Sequence, residues 1–236
     1  MIEKEQAPLL SSSDTFLKAA FQGAARTSLI LFGGLMLGLI AGDLVFKVLP
    51  GHSLQNPNPL HVAIASIPAL IGFLIGGAVW GSAMGRLAGA SDSRRMGIAG
   101  LLGFGPVTIL LAVGLSYVET IAGSGILARL PIHRLFTLLF VPAAFLIAGT
   151  SAAALGYGLK DRSLARSLFW RVGLLAAAAF LTVNLGMEAA GWVVGAPGAA
   201  QRLTMVTVLF LGNLGAAISG GALLGWLLDR SRRSGF

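Results

Sequence analysis

Few side chains in this sequence combine polarity with a position from which they could bind or react. Asn184 follows Arg171 by 13 residues, and Asn213 precedes Asp229 by 16. Along helices these offsets are rises of about 20 Å and about 24 Å, at roughly 1.5 Å per residue. Thr108 follows Arg95 by the same 13 residues. Amides at matching heights on neighbouring membrane helices can hydrogen-bond each other, a contact worth about 0.6–2 kcal/mol. That is the commoner use. The other is a polar cavity for a substrate, lined by Asn184, Asn213 and Thr108.

No charged side chain stands at mid-depth. Asp43 and Glu188 follow Arg26 and Arg171 by 17 residues each, about 25 Å along a helix and so close to the far interface. Ion-coupled transporters usually place a carboxylate near the midplane, which disfavours that class. His61 and His133 fall at equivalent ends of two helices, where two imidazoles could share a metal, a haem or a chlorophyll-type pigment. The third unit offers Gln201 or Arg202 there, so threefold ligation fails, and an interfacial cap is the commoner role for such histidines. The cofactor stays open.

Catalytic signatures are missing. No late span holds a histidine to serve a serine as base. Gly123-Ser124-Gly125 lacks the flanks of a nucleophile elbow, and there is no His-Glu-x-x-His or phosphate loop. A count of 0 cysteines excludes thiolate metal sites, Fe–S clusters, disulfides and Cys nucleophiles. No catalytic residue and no enzyme are expected.

Composition dictates the elements that carry these residues. Hydrophobic residues make up 56% of the 236-residue chain and charged ones 11%, with a mean hydropathy of +0.84. A soluble domain carries about 25% charge, so this chain cannot cover a folded surface in water and its solvent is lipid. Crossing about 30 Å of hydrocarbon takes about 20 apolar residues. Six stretches qualify, near 28–48, 61–83, 96–118, 133–158, 172–194 and 203–228. The fold class is an all-α integral membrane protein with six transmembrane helices.

Of the 17 Lys and Arg residues, all but Lys47, Arg129, Arg134 and Arg202 fall on one side of these spans. The positive-inside rule then puts both termini in the cytoplasm of a multi-pass protein of the cell membrane. The net charge of +8 is a topology signal that anionic headgroups satisfy, and nucleic acid is excluded as a partner. Residues 1–13 have the composition of a disordered tail. Asp14–Ala25 carries Phe16, Leu17, Ala20, Phe21 and Ala24 on one stripe, with Lys18 and Gln22 opposite. It reads as a short amphipathic interfacial helix ahead of a transmembrane domain at 26–236, or as an extension of the first span.

Self-comparison points to three tandem hairpins, about 26–92, 93–166 and 167–236. A shift of 72 residues puts His133 on His61 and Phe145–Gly149 on Phe73–Gly77. A shift of 68 puts Asp229-Arg230-Ser231 on Asp161-Arg162-Ser163. Small residues recur every four positions at Gly77, Gly81 and Gly85, at Ala217, Gly221 and Gly225, and in part at Gly149 and Ala153. Such stripes let helix backbones approach closely. They serve internal packing, or else a dimer face or a central trio of the even-numbered spans.

Two family patterns come near. Mitochondrial carriers are also tripled hairpins, but their Pro-x-Asp/Glu-x-x-Lys/Arg signature is absent here. Gly225 to Arg233 resembles the Gly-x-x-x-Asp-Arg loop of major facilitator transporters over nine residues, yet follows the sixth span where that family carries it after the second. Neither assigns a family. The expected function is a structural or accessory subunit of a larger membrane assembly, partnered by lipid and by other membrane subunits or its own copies. The alternative is a permease or channel component for a small neutral or lipophilic solute, with or without a partner ATPase.

Overall fold

The computed structural model describes residues 7–50, 59–116, 132–192 and 199–233, and the side chains of most of them. Among the described residues every regular element is a helix: α1 (Ala7–Thr27), a π-helical turn (Ser28–Phe32), α2 (Gly33–Val48), α3 (Pro59–Leu87), α4 (Ser93–Ser116), α5 (Ile132–Gly158), α6 (Arg162–Ala189) and α7 (Ala199–Arg233). Among the described residues four stretches are long and apolar enough to cross a membrane: Leu70–Leu87, Thr137–Gly158, Arg162–Ala189 and Phe210–Arg233. The spans expected near 28–48 and 96–118 fall on α2 and α4, many of whose side chains lie outside the described residues.

Three helices stop by the same device. Gly89, Lys160 and Gly191 follow α3, α5 and α6 with φ of 75°, 63° and 74°. In each case the next N–H reaches back five residues: Ala90 to Gly85 O (2.9 Å), Asp161 to Gly156 O (3.1 Å) and Trp192 to Met187 O (3.0 Å). This is the Schellman end, which satisfies carbonyls the last turn leaves open. After α3 and α5 the next helix starts on an aspartate. Asp92 Oδ1 accepts from the Arg95 N–H at 2.9 Å, and Asp161 Oδ1 accepts from the Leu164 N–H and the Ser163 hydroxyl, both at 2.9 Å. Asp229, which the 68-residue shift lays on Asp161, does something else. It lies inside α7 and pairs with Arg233 one turn on, at 2.6 Å, because no positive-φ stop interrupts the helix before it.

The helices form a closed ring. Each packs on its neighbour in order from α2 to α7, and α7 packs on α1, so the first and last described helices meet. α3, α5 and α7 also touch one another, which puts them on the inside. α1 runs through the π turn into α2 without a break. Thr27 and Gly33, flanking the π turn, both have right-handed helical backbone, and helix already begins at Ala7, within the stretch read as a tail. The π turn has a packing consequence. A π insertion rotates the faces on either side of it, and here α1 lies against α7 while α2 lies against α3.

One crossing geometry occurs three times. A Cβ built on Gly81 would meet Met96 O and lie 2.8 Å from Gly100 Cα, and one on Gly100 would meet Gly77 O. At α7·α1, a Cβ on Gly225 would meet Ala19 O and lie 2.9 Å from Gly23 Cα, and one on Gly23 would meet Gly221 O. At α5·α6, a Cβ on Gly149 would lie 2.9 Å from Phe169 O, and one on Gly173 2.9 Å from Phe145 O. Each crossing uses positions four apart on both helices, and each carbonyl faces a glycine Cα at a distance a side chain would forbid. Close approach of this kind gains dispersion and Cα–H···O contacts.

Large side chains fill the end of the ring near these crossings. Met84, Leu87, Met96, Leu155, Leu168, Leu224, Leu227 and Leu228 form a buried cluster with Trp80 and Phe104. Trp80 is 2% exposed. Its ring stands edge-on to Phe104 at 5.0 Å, and its Nε1–H donates to Thr27 Oγ1 at 3.0 Å. That bond ties α3 to α1 where Thr27 packs on Gly221 of α7.

Candidate functional site

Because α1 lies along α7 and beside the end of α3, residues far apart in sequence meet at one end of the ring. A cavity of about 390 Å³ there is lined by Thr15, Lys18, Ala19, Gln22 and Arg26 of α1, Arg86 and Leu87 of α3, and Asp229, Arg232 and Arg233 of α7. Five cations and one carboxylate face it. Asp229 is engaged by Arg233, whose Nη1 also donates to Thr15 Oγ1 at 3.3 Å. Arg26 is half-buried, and its Nη1 donates to Ala83 O at 2.7 Å. Arg232 crosses the turn after α3: a Cβ on Gly89 would lie 3.2 Å from its Cδ and Nε. The buried Ala19 and Leu87 give the cavity an apolar floor.

A second, shallower groove of about 630 Å³ runs along α6 alone, lined by Arg162, Ser163, Arg166, Ser167, Trp170 and Arg171. Beside it the Leu164 N–H holds the Asp161 carboxyl below the usual carboxylate range; slight desolvation opposes this, and the hydroxyl and N–H of Ser163 reinforce it. At the opposite end, Arg134 donates from Nε (3.0 Å) and Nη2 (2.7 Å) to Glu188 Oε1, so the start of α5 meets the end of α6.

Of the residues singled out by sequence, the side chains of Asn184, Asn213 and His61 are among those described. Asn184 is 4% exposed, and its Nδ2 donates down its own helix to Phe180 O at 2.8 Å. Its Oδ1 is buried without a hydrogen-bond partner, so the expected Asn184–Asn213 hydrogen bond is not made. The reason is geometric. Gly212 is the α7 residue against the amide, a Cβ there lying 2.6 Å from Nδ2, and Asn213 stands about 100° further round the helix, half-buried. The Thr108 side chain lies outside the described residues, as does that of His133. His61 is half-buried, with Nδ1 buried and unpartnered. Among the described residues no three of His, Asp and Glu come together.

The small-residue positions are more uniform. Gly77, Gly81 and Gly85 are buried against α4, Gly149 against α6, and Gly221 and Gly225 against α1, while Ala153 and Ala217 are half-buried on the same helices. What sequence reasoning missed is the basic cavity. Lys18, Arg26, Arg86 and Arg232 were each legible as a topology signal, and nothing in their spacing says that α1 folds back onto α7. The stripe Ala19, Gly23 and Thr27, at intervals of four, is the signal that could have shown it. Comparison of the chain with protein-family models, with curated proteins and with solved structures finds no match, so the reading of its function rests on the geometry above.

Proposed function

We propose that this chain is a non-catalytic structural or accessory subunit of a larger assembly in the cell membrane. It spans the bilayer six times, with both termini and the basic end in the cytoplasm. Three hairpins, about 26–92, 93–166 and 167–236, build it; like crossings join the first to the second and the second to the third, and a third joins the last to Ala19 and Gly23 just ahead of the first. Its partners are lipid and the apolar helices of other membrane subunits or of further copies.

The observation that carries this reading is the filled core. Met84, Met96, Leu155, Leu168, Leu224 and Leu228, each under 2% exposed, meet where α3 to α7 converge at the basic end. A solute following the ring axis would have to displace all of them, and interiors packed in this way do not deform continuously. The experiment is purification of the tagged chain in mild detergent, with mass spectrometry of what accompanies it and an absorption spectrum. The expected result is at least one other membrane protein in fixed stoichiometry. A pigment band would bring His61 and His133 forward as ligands. A colourless lone monomer overturns the subunit reading.

One observation favours a second reading, a permease or channel component for a small neutral or lipophilic solute. Asn184 Oδ1 is a buried acceptor with no partner, and such groups cost free energy unless something uses them. Uptake of a neutral solute into proteoliposomes, lost in Asn184→Leu, would put the permease in place of the subunit.

A further inference from the structure

At the basic end, five cations from three helices converge on a cavity whose described lining holds one carboxylate. Lys18 and Arg26 come from α1, Arg86 from the end of α3 and Arg232 from the end of α7, all onto one cavity. The single acidic lining residue, Asp229, is taken by Arg233 at 2.6 Å. Among the described residues no carboxylate pairs with the other four cations. A positive-inside excess alone would be met equally well by side chains splayed into water. These are gathered over a concavity instead, and two of them are held. Arg26 is anchored through Nη1 to Ala83 O, and among the described residues no other acceptor takes its remaining N–H donors. Arg232 lies across the Gly89 turn. Like charges held together repel, and an anion among them turns that cost into binding.

We propose that this cavity is a binding site for a phosphate-bearing anion, with Arg26, Arg86 and Arg232 as its main donors. Guanidinium forks match phosphate oxygens and form charge-assisted hydrogen bonds to them. Thr15 and Gln22 add neutral polar groups at the rim. The favoured source of the phosphate is the headgroup of an anionic phospholipid. Leu17 and Phe21, 61% and 74% exposed, flank Lys18 and Gln22 on α1 and offer acyl chains an apolar track. Basic pockets at the cytoplasmic ends of membrane helices take such headgroups. The site uses the membrane placement of the chain but not its role as a subunit, so either idea can fail without the other.

The test follows the melting temperature of the purified full chain in neutral detergent during titration with phosphatidylglycerol, with phosphatidylcholine and with inorganic pyrophosphate. Phosphatidylglycerol is expected to stabilise saturably and phosphatidylcholine not to. In Arg86→Gln/Arg232→Gln the phosphatidylglycerol midpoint should rise at least about tenfold, the effect of losing one charge-assisted hydrogen bond. In Arg162→Gln/Arg166→Gln, on the α6 groove, it should move less than about twofold. Lys18→Gln, at an exposed position that makes no bond to another described residue, should shift it the same way as the double variant and keeps the test valid if that variant does not fold. Saturable stabilisation by pyrophosphate without any by phosphatidylglycerol would assign the same cavity to a soluble phosphate ligand. Equal responses to both lipids with none to pyrophosphate, or an equal loss in the α6 variant, overturns the proposal.

Discussion

The crossings α3·α4 and α1·α7 are built alike and connected differently. In both, two residues four apart on one helix meet two residues four apart on the other, with a glycine Cα under a carbonyl on each side. A short turn capped by Asp92 joins α3 to α4, whereas no turn joins α1 to α7, the first and last of the described helices. The geometry therefore comes from the small residues and not from the connection. What the connection changes is the consequence of failure. A disturbed α3·α4 crossing cannot separate, because the turn and the core around Trp80, Met84, Met96 and Phe104 hold it. A disturbed α1·α7 crossing can open.

The largest expected effect follows from that difference. In Gly81→Val the new side chain meets Met96 O and the Gly100 backbone, and neither can move without shifting α4. The loss should be about 3 kcal/mol, the upper part of the range for overpacked cores, read as a lower melting temperature of the whole protein. Gly33→Ala is the control. A Cβ at Gly33 has nothing within 4 Å, so the variant should melt with or slightly above the parent, by about 0.4–1 kcal/mol at most. Equal losses at the two glycines would remove close approach as the cause.

Gly23→Val tests the untethered crossing. Its Cβ would meet Gly221 O and Gly225 Cα, and the cheapest relief is for α1 to leave α7. Two effects are expected together: the N-terminal helix becomes a site of limited proteolysis, while the main melting transition falls by about 1 kcal/mol, less than for Gly81→Val. If both variants lose the same global stability and α1 stays protected, the contrast between tethered and closing crossings is wrong.

Half of each crossing is legible in the sequence. The stripes Gly77-Gly81-Gly85 and Ala217-Gly221-Gly225 stand out because one helix supplies several small residues in register. The partner helix needs only one glycine, since its other contact is a carbonyl that any residue has. Hence Met96 with Gly100, and Phe169 with Gly173, do not announce themselves. Alignment by shift also lands one turn away. It lays Gly149 on Gly77, yet Gly149 faces Phe169 O as Gly81 faces Met96 O. A one-turn slip preserves the spacing of four, so pattern matching cannot separate the two registers. The basic cavity is harder to read for a related reason: its charges are brought together by ring closure, and the stripe Ala19, Gly23 and Thr27 marks a packing face on α1 without saying that α7 is its partner.

Trp80 sharpens the comparison at a smaller scale, because its Nε1–H bond to Thr27 Oγ1 links the tethered half of the ring to the closing half. Trp80→Phe removes the donor and leaves Thr27, 7% exposed, with an unmatched hydroxyl. A loss of about 1 kcal/mol is expected beyond that of the ring volume. Thr27→Val in the Trp80→Phe background should then cost little, giving a positive coupling in the double-mutant cycle. Strict additivity would mean that the two halves are joined by packing alone.

The smallest effect concerns the capped turns that tether the local crossings. At α5–α6 the cap is Asp161, whose carboxyl is held below its ordinary range chiefly by the Leu164 N–H. A carboxylate depressed in the folded protein contributes stability above its unfolded value of about 3.9 and loses it as pH falls through the lower folded value. Acidification should therefore lower the melting temperature across the region below about pH 4. Asp161→Asn keeps a good cap but cannot titrate, so at neutral pH it should differ from the parent by only a few tenths of a kcal/mol, and its melting temperature should fall less steeply on acidification. Parallel acid profiles for the two proteins would mean that the turn is held by its Schellman end and not by the charge on its cap.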